Sequence, residues 1–356
     1  MLSQNRGEWS ELYGILLLLV RPKLKLVDSN LQFITEEIFT LKEIIIESKD
    51  TINYKIIGDS IAVYINAKSS NTYSIEEIDN KRKELLKAIN SNHLTKGAFE
   101  IVEISNFLSN FTNDNQVKQK SFKKEDLITF VLDNKIGDER ELTYSIKSML
   151  GSPATLLNSS SQTNFKYTVK GLNDKQVSEI NNINSSSKIK DRIEKIRSYG
   201  GEISFSSIPC HELEYNLKMI DSNMPLYISN ALLEFYYYSN KGKSLKELFI
   251  DSNNFEDEVF GIKKLGDFLS ASSFGFFPSK KWDGLKTVTG GIFIIDKNGD
   301  GLILDLIYYE HEVRNFLINE TKLDTPSTSR YHQAELKKDK DGEYSFTLNL
   351  QIRYKK

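Results

Sequence analysis

Nine uncharged residues, Leu12–Val20, stand directly behind Glu8 and Glu11 near the start of the chain. With no proline and one internal glycine, Gly7–Val20 reads as a helix whose acids fall early, where they complement the helix dipole. A helix that is apolar around most of its circumference has to be buried. It is too short for a membrane span, which needs about 20 apolar residues. Glu8 and Glu11 also stand directly ahead of it, where a secretion signal would carry positive charge. The chain is therefore expected to bury its own N-terminal helix.

The rest of the sequence supplies the layers for this. Thr51–Ile57 and Ser60–Ala67, split by Gly58-Asp59, carry a hairpin signal, and residues 75–93 return to helical spacing. A polar, basic stretch from Thr112 to Lys124 reads as an exposed loop. Asp126–Leu132, the polar turn Asp133–Asp138 and Glu141–Met149 then form an antiparallel pair, with Asn164–Val169 a further strand. Beyond Gly171 the pattern is helical at 174–197, 211–220, 225–239 and 256–271. Strands return at Gly291–Asp296, Gly301–Tyr309 and Glu343–Tyr354. At 356 residues, 39% hydrophobic and 27% charged, the chain suits two globular lobes. The expected class is α/β (α+β): a mixed α/β lobe over 1–172 and a second α+β lobe over 173–356.

A formal net charge of −2 gives the whole molecule no pull on nucleic acid, so any such surface must be local. Candidate runs are Lys118, Lys120, Lys123 and Lys124; Lys188, Lys190, Arg192, Lys195 and Arg197; and Arg353, Lys355 and Lys356. Runs of this kind are more often solvated faces than phosphate clamps. The single cysteine, Cys210, rules out an intrachain disulfide and points to a reducing cytoplasm.

The chemistry lies in the strand pair. Hydrolysing a phosphodiester calls for a metal that binds phosphate oxygen and activates water, and for a cation near the developing charge. Asp126, at the start of its strand, is the candidate metal ligand, and Lys147, on the partner strand, the candidate cation. Alternation puts Glu141, Thr143, Ser145 and Lys147 on one side of their strand. An aspartate followed by x-x-Lys on the next strand resembles the PD-(D/E)xK nuclease site. Here the tripeptide is Ser145-Ile146-Lys147, with a poor magnesium ligand where that pattern has an acid, so a second carboxylate must come from elsewhere. Nucleases of this kind often carry a glutamate on an N-terminal helix, and Glu11, following Arg6-Gly7, fits either that role or that of an ordinary acid at a helix start. Glu141, four residues before Ser145, lies roughly 13 Å from it along an extended strand and is the weaker candidate.

Longer blocks narrow the resemblance. Arg6-Gly7-Glu8-Trp9-Ser10-Glu11-Leu12-Tyr13, then Ser145-Ile146-Lys147-Ser148 continuing through Leu150-Gly151-Ser152-Pro153 to Thr163-Asn164-Phe165, then Pro278-Ser279-Lys280-Lys281-Trp282-Asp283-Gly284, Thr289-Gly290-Gly291, Thr325-Pro326-Ser327-Thr328-Ser329-Arg330 and Asn349-Leu350-Gln351-Ile352-Arg353 resemble, in order, blocks of the HpaII-type restriction endonuclease family. The resemblance implies a restriction-endonuclease-like mixed sheet flanked by helices, with the nuclease site in the first lobe and DNA recognition or dimerisation in the second. It implies a homodimeric Type II enzyme cutting double-stranded DNA at CCGG with Mg²⁺, in a restriction–modification system whose DNA methyltransferase is a functional, not a physical, partner. It also makes serine in the Ser-x-Lys motif normal for the family. The departures are Thr143-Tyr144 where Gly-Phe is expected, and Lys124-Glu125 where Lys-Ser is more usual.

Candidate catalytic residues are thus Asp126, Lys147, Glu11 and Ser145, with Asp126 and Glu11 on the metal. Reading G·C pairs in the major groove calls for Arg or Lys on guanine and Asp or Glu on cytosine. Arg330, Lys280 and Lys281 are the choices for guanine and Asp283 for cytosine, with Asn164, Ser327, Ser329 and Arg353 as further DNA contacts. A non-catalytic DNA-binding module and a repair or methylation-dependent nuclease on the same fold are the alternatives. Three other signals are read as structural. Asp296–Gly301 matches half an EF-hand loop but has Ile307 where the closing glutamate belongs, so it reads as a hairpin turn. Cys210-His211 lacks the second pair of ligands for zinc. Phe235–Tyr238 has aromatic spacing that suits a helix core better than base stacking.

Overall fold

The computed structural model describes residues 3–34, 37–92, 97–113, 123–151, 153–238, 243–326, 332–339 and 342–355. The chain opens with a short strand, β1 (Ser3–Asn5), and helix α1 (Arg6–Val20). The Asn5 side chain accepts from the Glu8 amide at 3.1 Å and the Glu8 carboxylate accepts from the Asn5 amide at 2.9 Å, a capping box that fixes where α1 begins. Strands β2 (Phe39–Glu47), β3 (Thr51–Ile57), β4 (Ser60–Ile65) and β5 (Lys68–Ser74) follow, then α2 (Ile75–Ser91), β6 (Ala98–Glu100), α3 (Ser105–Thr112), β7 (Leu127–Asp133) and β8 (Asp138–Ser148). Next come β9 (Thr155–Leu157), β10 (Asn164–Lys170), α4 (Asp174–Asn181), α5 (Lys188–Ser198), β11 (Glu202–Ser207), α6 (His211–Ile220), α7 (Met224–Tyr238), α8 (Leu245–Asp251) and α9 (Glu258–Phe274). The chain closes with β12 (Gly291–Ile295), β13 (Gly301–Asp305), α10 (Glu310–Glu320), β14 (Thr321–Leu323), β15 (Lys337–Lys338), β16 (Tyr344–Asn349) and β17 (Ile352–Tyr354).

These elements form two units, Met1–Ala154 with Lys286–Phe316, and Thr155–Leu285 with Leu317–Lys355. Neither is a continuous half of the sequence, so the units differ from a division at residue 172. Each combines sheet and helix, the mixed α+β class that the sequence indicates.

The first unit is built on an eight-stranded sheet, ordered β13-β12-β8-β7-β2-β3-β4-β5. Every neighbour is antiparallel except β12, which runs parallel to β8. Helix α1 is buried along its length, with Leu12, Leu16 and Leu19 fully enclosed beside Ile78, Leu85 and Ile89 of α2. Burying each such leucine contributes about 1.5–3 kcal/mol. The close approach of α1 to β12 depends on Gly14, where a Cβ would sit 2.9 Å from the Phe293 ring and 3.0 Å from Ile295. At Gly291 the backbone has φ +125°, and a Cβ would meet the Leu304 carbonyl oxygen at 2.0 Å, so only glycine allows β13 to pair there.

In the second unit a four-stranded sheet, β11-β10-β16-β15, and a three-stranded one, β14-β17-β9, are accompanied by α4–α9. Phe165, Tyr167, Val169, Phe346 and Leu348 bury one face of the larger sheet, with the Tyr167 and Phe346 rings stacked at 5.4 Å. Strand alternation leaves Asn164, Lys166 and Thr168 on the other face. Among the described residues, no helix is long and apolar enough to cross a membrane.

Three element expectations are corrected. The helix expected at 174–197 is two, α4 and α5, because Asn181-Asn182-Ile183-Asn184-Ser185-Ser186-Ser187 offers side-chain partners that compete with helical bonding. The strand expected at Glu343–Tyr354 is two, β16 and β17, which pair in different sheets. The strand expected at Gly301–Tyr309 stops at Asp305, whose carboxylate accepts from the Tyr308 amide at 2.7 Å and turns the chain.

Candidate active site

The β7–β8 hairpin sets the geometry. Leu127 pairs with Tyr144, and the Asp126 amide extends the ladder by donating to the Tyr144 carbonyl at 2.8 Å. That register places the Asp126 carboxylate beside Ser145 and Ile146. Its Oδ2 accepts from the Ile146 amide at 2.6 Å and from the Ser145 hydroxyl at 3.1 Å. Lys147 Nζ donates to Ser145 Oγ at 2.7 Å and to the Ile146 carbonyl at 3.0 Å, and lies 3.9 Å from Asp126 Oδ2. Ser145 thus links the ammonium to the carboxylate, accepting from one and donating to the other. Asp126 and Lys147 side chains both remain about a quarter exposed, open to an incoming group.

The opposite edge of β8 is locked by hydroxyls. Thr143 Oγ1 donates to the Thr287 carbonyl at 2.7 Å and accepts from the Thr289 amide at 2.8 Å, while the Thr143 amide donates to Thr289 Oγ1 at 3.1 Å. These bonds set β12 in register along β8, with Ile294 opposite Lys147. The threonine at 143, a departure from the expected glycine, therefore has a structural use.

The candidate second carboxylates differ in placement. Glu141 is exposed and opposite Phe130, four residues up the ladder from Asp126, or roughly 13 Å along the strand. Glu11 is half-buried on α1, one turn before Gly14. Gly14 lies against Ile295, whose ladder partner Ser148 directly follows Lys147, and a Cβ on Gly151 would come within 2.8 Å of Arg6 Cδ. The turn of α1 that carries Glu11 therefore runs between two points fixed near the end of β8.

A second lysine belongs here that the sequence reading left among a general basic run. Lys124 stands two residues before Asp126, on the same side of the extended lead-in, while Lys123 and Glu125 point the other way. Lys123 Nζ bridges Glu47 at 2.6 Å and Glu125 at 3.5 Å, and this pins the lead-in to β2. Burial first, and the Lys147 charge second, push the Lys124 ammonium down to about 8, while Asp126 acts in the opposite direction. Period-two spacing from Asp126 was the signal that would have found it.

The other described residues among the DNA-contact candidates lie in the second unit. Lys280, Lys281 and Asp283 are exposed on the segment after α9, which is held by the buried Asn216. Its amide nitrogen donates to the carbonyls of Phe277 at 3.0 Å and Lys280 at 2.8 Å, and its oxygen accepts from the Trp282 amide at 2.8 Å. The Lys281 ammonium sits 5.4 Å over the Tyr215 ring, and Asp283 accepts from the Leu285 amide at 3.0 Å. Arg353 pairs with Asp324 at 2.7 Å. Asn164 Oδ1 accepts from Asn349 Nδ2 at 2.8 Å. Ser327, Ser329 and Arg330 lie outside the described residues.

Several basic residues are structural. Arg192 is buried and donates to the carbonyls of Asn181, Ile183 and Gln333. Lys190 pairs with Glu194 at 3.4 Å and Arg197 with Glu234 at 3.7 Å. Asp296–Gly301 forms the β12–β13 turn, in which Asp296 Oδ1 accepts from the amides of Asn298 and Asp300, and Asp300 pairs with Arg21 at 2.7 Å. Phe235 and Tyr236 are buried in the core of the second unit.

No solved structure matches the chain. It is 32% identical over 368 aligned positions to the Type II restriction enzyme HpaII of Haemophilus parainfluenzae, covering 99% of this chain and 98% of that protein. The profile of the HpaII restriction endonuclease family matches residues 5–354. With a sheet-borne Asp126, Ser145 and Lys147 at its centre, the chain belongs to the HpaII restriction endonuclease family, and with it to the site-specific deoxyribonucleases.

Proposed function

We propose that this protein makes double-strand cuts in DNA at CCGG by Mg²⁺-assisted phosphodiester hydrolysis, working as a homodimer in the cytoplasm beside a DNA methyltransferase that protects the host's own sites. The observation that carries the reading is the Lys147–Ser145–Asp126 chain of hydrogen bonds on two paired strands, next to a second lysine. Two identical subunits are the simplest way to cut both strands of a palindrome, because their two-fold axis can coincide with that of the site.

The donor set suits magnesium, a hard cation that takes one or two carboxylates alongside substrate phosphate. Asp126 would hold it, with Glu11 as the second ligand. Asp126 alone, between Lys124 and Lys147, leaves the local charge positive, so the ion is favoured only once Glu11 or the DNA phosphate contributes. The chemistry that Mg²⁺ would supply there is a Lewis acid for a phosphate oxygen and for a water. Lys147 stabilises charge that develops on the phosphate, and Ser145 orients the Lys147 ammonium through the 2.7 Å bond. The first unit carries this chemistry. The second carries recognition, with Lys280 and Lys281 assigned to guanine, Asp283 to cytosine, and Ser327, Ser329 and Arg353 to further DNA contacts.

Incubating the pure protein with plasmid DNA and Mg²⁺ tests the reading. Discrete fragments whose sequenced ends fall at CCGG are expected. No cutting would leave a DNA-binding module, and cutting confined to methylated or damaged DNA would leave a repair-type nuclease.

Arg330 is proposed to read a guanine edge. Arg330→Ala is then expected to cost about 1–3 kcal/mol of discrimination per half-site. Equal weakening on cognate and random duplexes, with a shallower salt dependence, would make it a phosphate contact instead.

A further inference from the structure

The outer face of the β11-β10-β16-β15 sheet carries a groove of about 320 Å³, lined by Asn164 and Lys166 of β10, Ser345 and Thr347 of β16, Lys337 of β15, and Glu335 and His332 of the preceding segment. Its opposite face is the aromatic core of the second unit, so the floor is rigid. The ladder fixes the spacing of its polar groups, with Lys166 opposite Thr347 and Ser345 opposite Lys337.

Asn164 is oriented by a buried residue. Asn349 is fully enclosed, and its Nδ2 donates both to the Ser160 carbonyl at 2.6 Å and to Asn164 Oδ1 at 2.8 Å. The Ser160 carbonyl can only accept, so the Asn349 amide has one allowed orientation, and that orientation engages the Asn164 oxygen. The Asn164 NH₂ group is not used by this bond, and Asn164 itself lines the groove. Glu335 is held as well, by His332 Nδ1 at 3.0 Å from its Oε2. Lys166 lies 3.7 Å from Asp339, a loose pairing that leaves its head group near the rim.

This lining is a mixture. A track for phosphates is built from donors and cations, and a carboxylate in it is repelled by the backbone it should hold. A base edge in the major groove instead presents acceptors and an amino donor side by side. Guanine O6 and N7 accept, and cytosine N4 donates. Asn164 and the lysines match the first, and Glu335 matches the second. Bidentate pairing of an asparagine with adenine needs the amide oxygen, which Asn349 already occupies.

We propose that this groove reads the major-groove edge of a G·C pair, with Asn164 and a lysine donating to guanine and Glu335 accepting from the cytosine amino group. The assignment rests on the nuclease reading above and adds a recognition element that the chain's basic runs do not reveal.

The test uses two substitutions of opposite charge effect. Wild-type digestion of a plasmid of known sequence first maps the cut site. Affinities are then measured, without Mg²⁺ and over a range of salt, for a duplex carrying that site and for a scrambled duplex. Asn164→Asp keeps the acceptor that Asn349 needs and removes the donor, and Glu335→Gln removes a negative charge. If base edges are read, each variant loses roughly tenfold or more of the preference for the mapped site, and single-turnover cleavage falls with it. The proposal is overturned if the two variants shift both duplexes equally and in opposite directions, which marks a phosphate track, or if neither changes the preference. Thermal unfolding of each variant separates these outcomes from loss of the fold. A wild-type protein that cuts no DNA would instead bring down the nuclease reading, and this assignment with it.

Discussion

Lys147→Ala is expected to lower single-turnover cleavage by about 10²-fold or more, some 2.7 kcal/mol of transition-state stabilisation, while specific binding in a gel shift survives. The expectation follows from where Nζ sits. It lies 3.9 Å from Asp126 Oδ2 and is anchored by Ser145 and the Ile146 carbonyl, so it holds a fixed positive charge beside the carboxylate proposed to carry the metal. The pairing with Asp126 is long, at 3.9 Å, and both side chains keep some contact with solvent, so it adds little to folding. Stability should therefore change much less than rate. A variant that still cuts near the wild-type rate would remove Lys147 from the mechanism. Lys147→Arg is a useful companion, because a planar guanidinium keeps the charge but does not fit a site built for a compact ammonium.

The second large effect concerns the missing carboxylate. Glu11→Gln is expected to abolish cleavage and to weaken the dependence on Mg²⁺ with DNA bound, whereas Glu141→Gln should cost less than tenfold. Ser145 is committed to bridging Lys147 and Asp126, and as a neutral hydroxyl it adds no charge to balance a dication. Glu141 is exposed and four ladder positions from Asp126. Glu11 sits on a helix whose neighbours Arg6 and Gly14 are both seated near the end of β8. Single-turnover rates at several Mg²⁺ concentrations decide between them, and the reverse ranking would move the second ligand to Glu141.

Local signals were legible where one interaction dominated. The N-terminal helix, the hairpin of β3 and β4 and helix α6 follow from early acids, turn residues and apolar spacing, and the β7–β8 pair came with its short polar turn. That pairing alone brought Asp126, Ser145 and Lys147 within reach of one another. The central strand β2 did not announce itself. Its alternation slips at a bulge between Leu41 and Glu43, where the ladder to β7 shifts register, so neither a clean period of two nor a continuous apolar run appears. The pairing of β12 with β8 was equally hidden, because partners such as Gly291 and Tyr144 are 147 positions apart and no local pattern encodes so distant a neighbour. Lys124 was masked by its own surroundings, a run of lysines in which only the relation to Asp126 distinguishes one. Asn349 acts by orienting another side chain, a role that has no signature in sequence.

The parallel pairing of β8 with β12 has a consequence for biosynthesis. A ribosome adding about 5–20 residues per second finishes the Asp126–Lys147 hairpin well before it reaches Gly291, and the whole of Thr155–Leu285 emerges in between. For roughly 7–30 s the strand bearing Lys147 has one open edge, lacking the threonine bonds to 287 and 289 that fix its register. A nascent or truncated chain that stops short of β12 is thus an immature nuclease, held back by the order in which its strands are made.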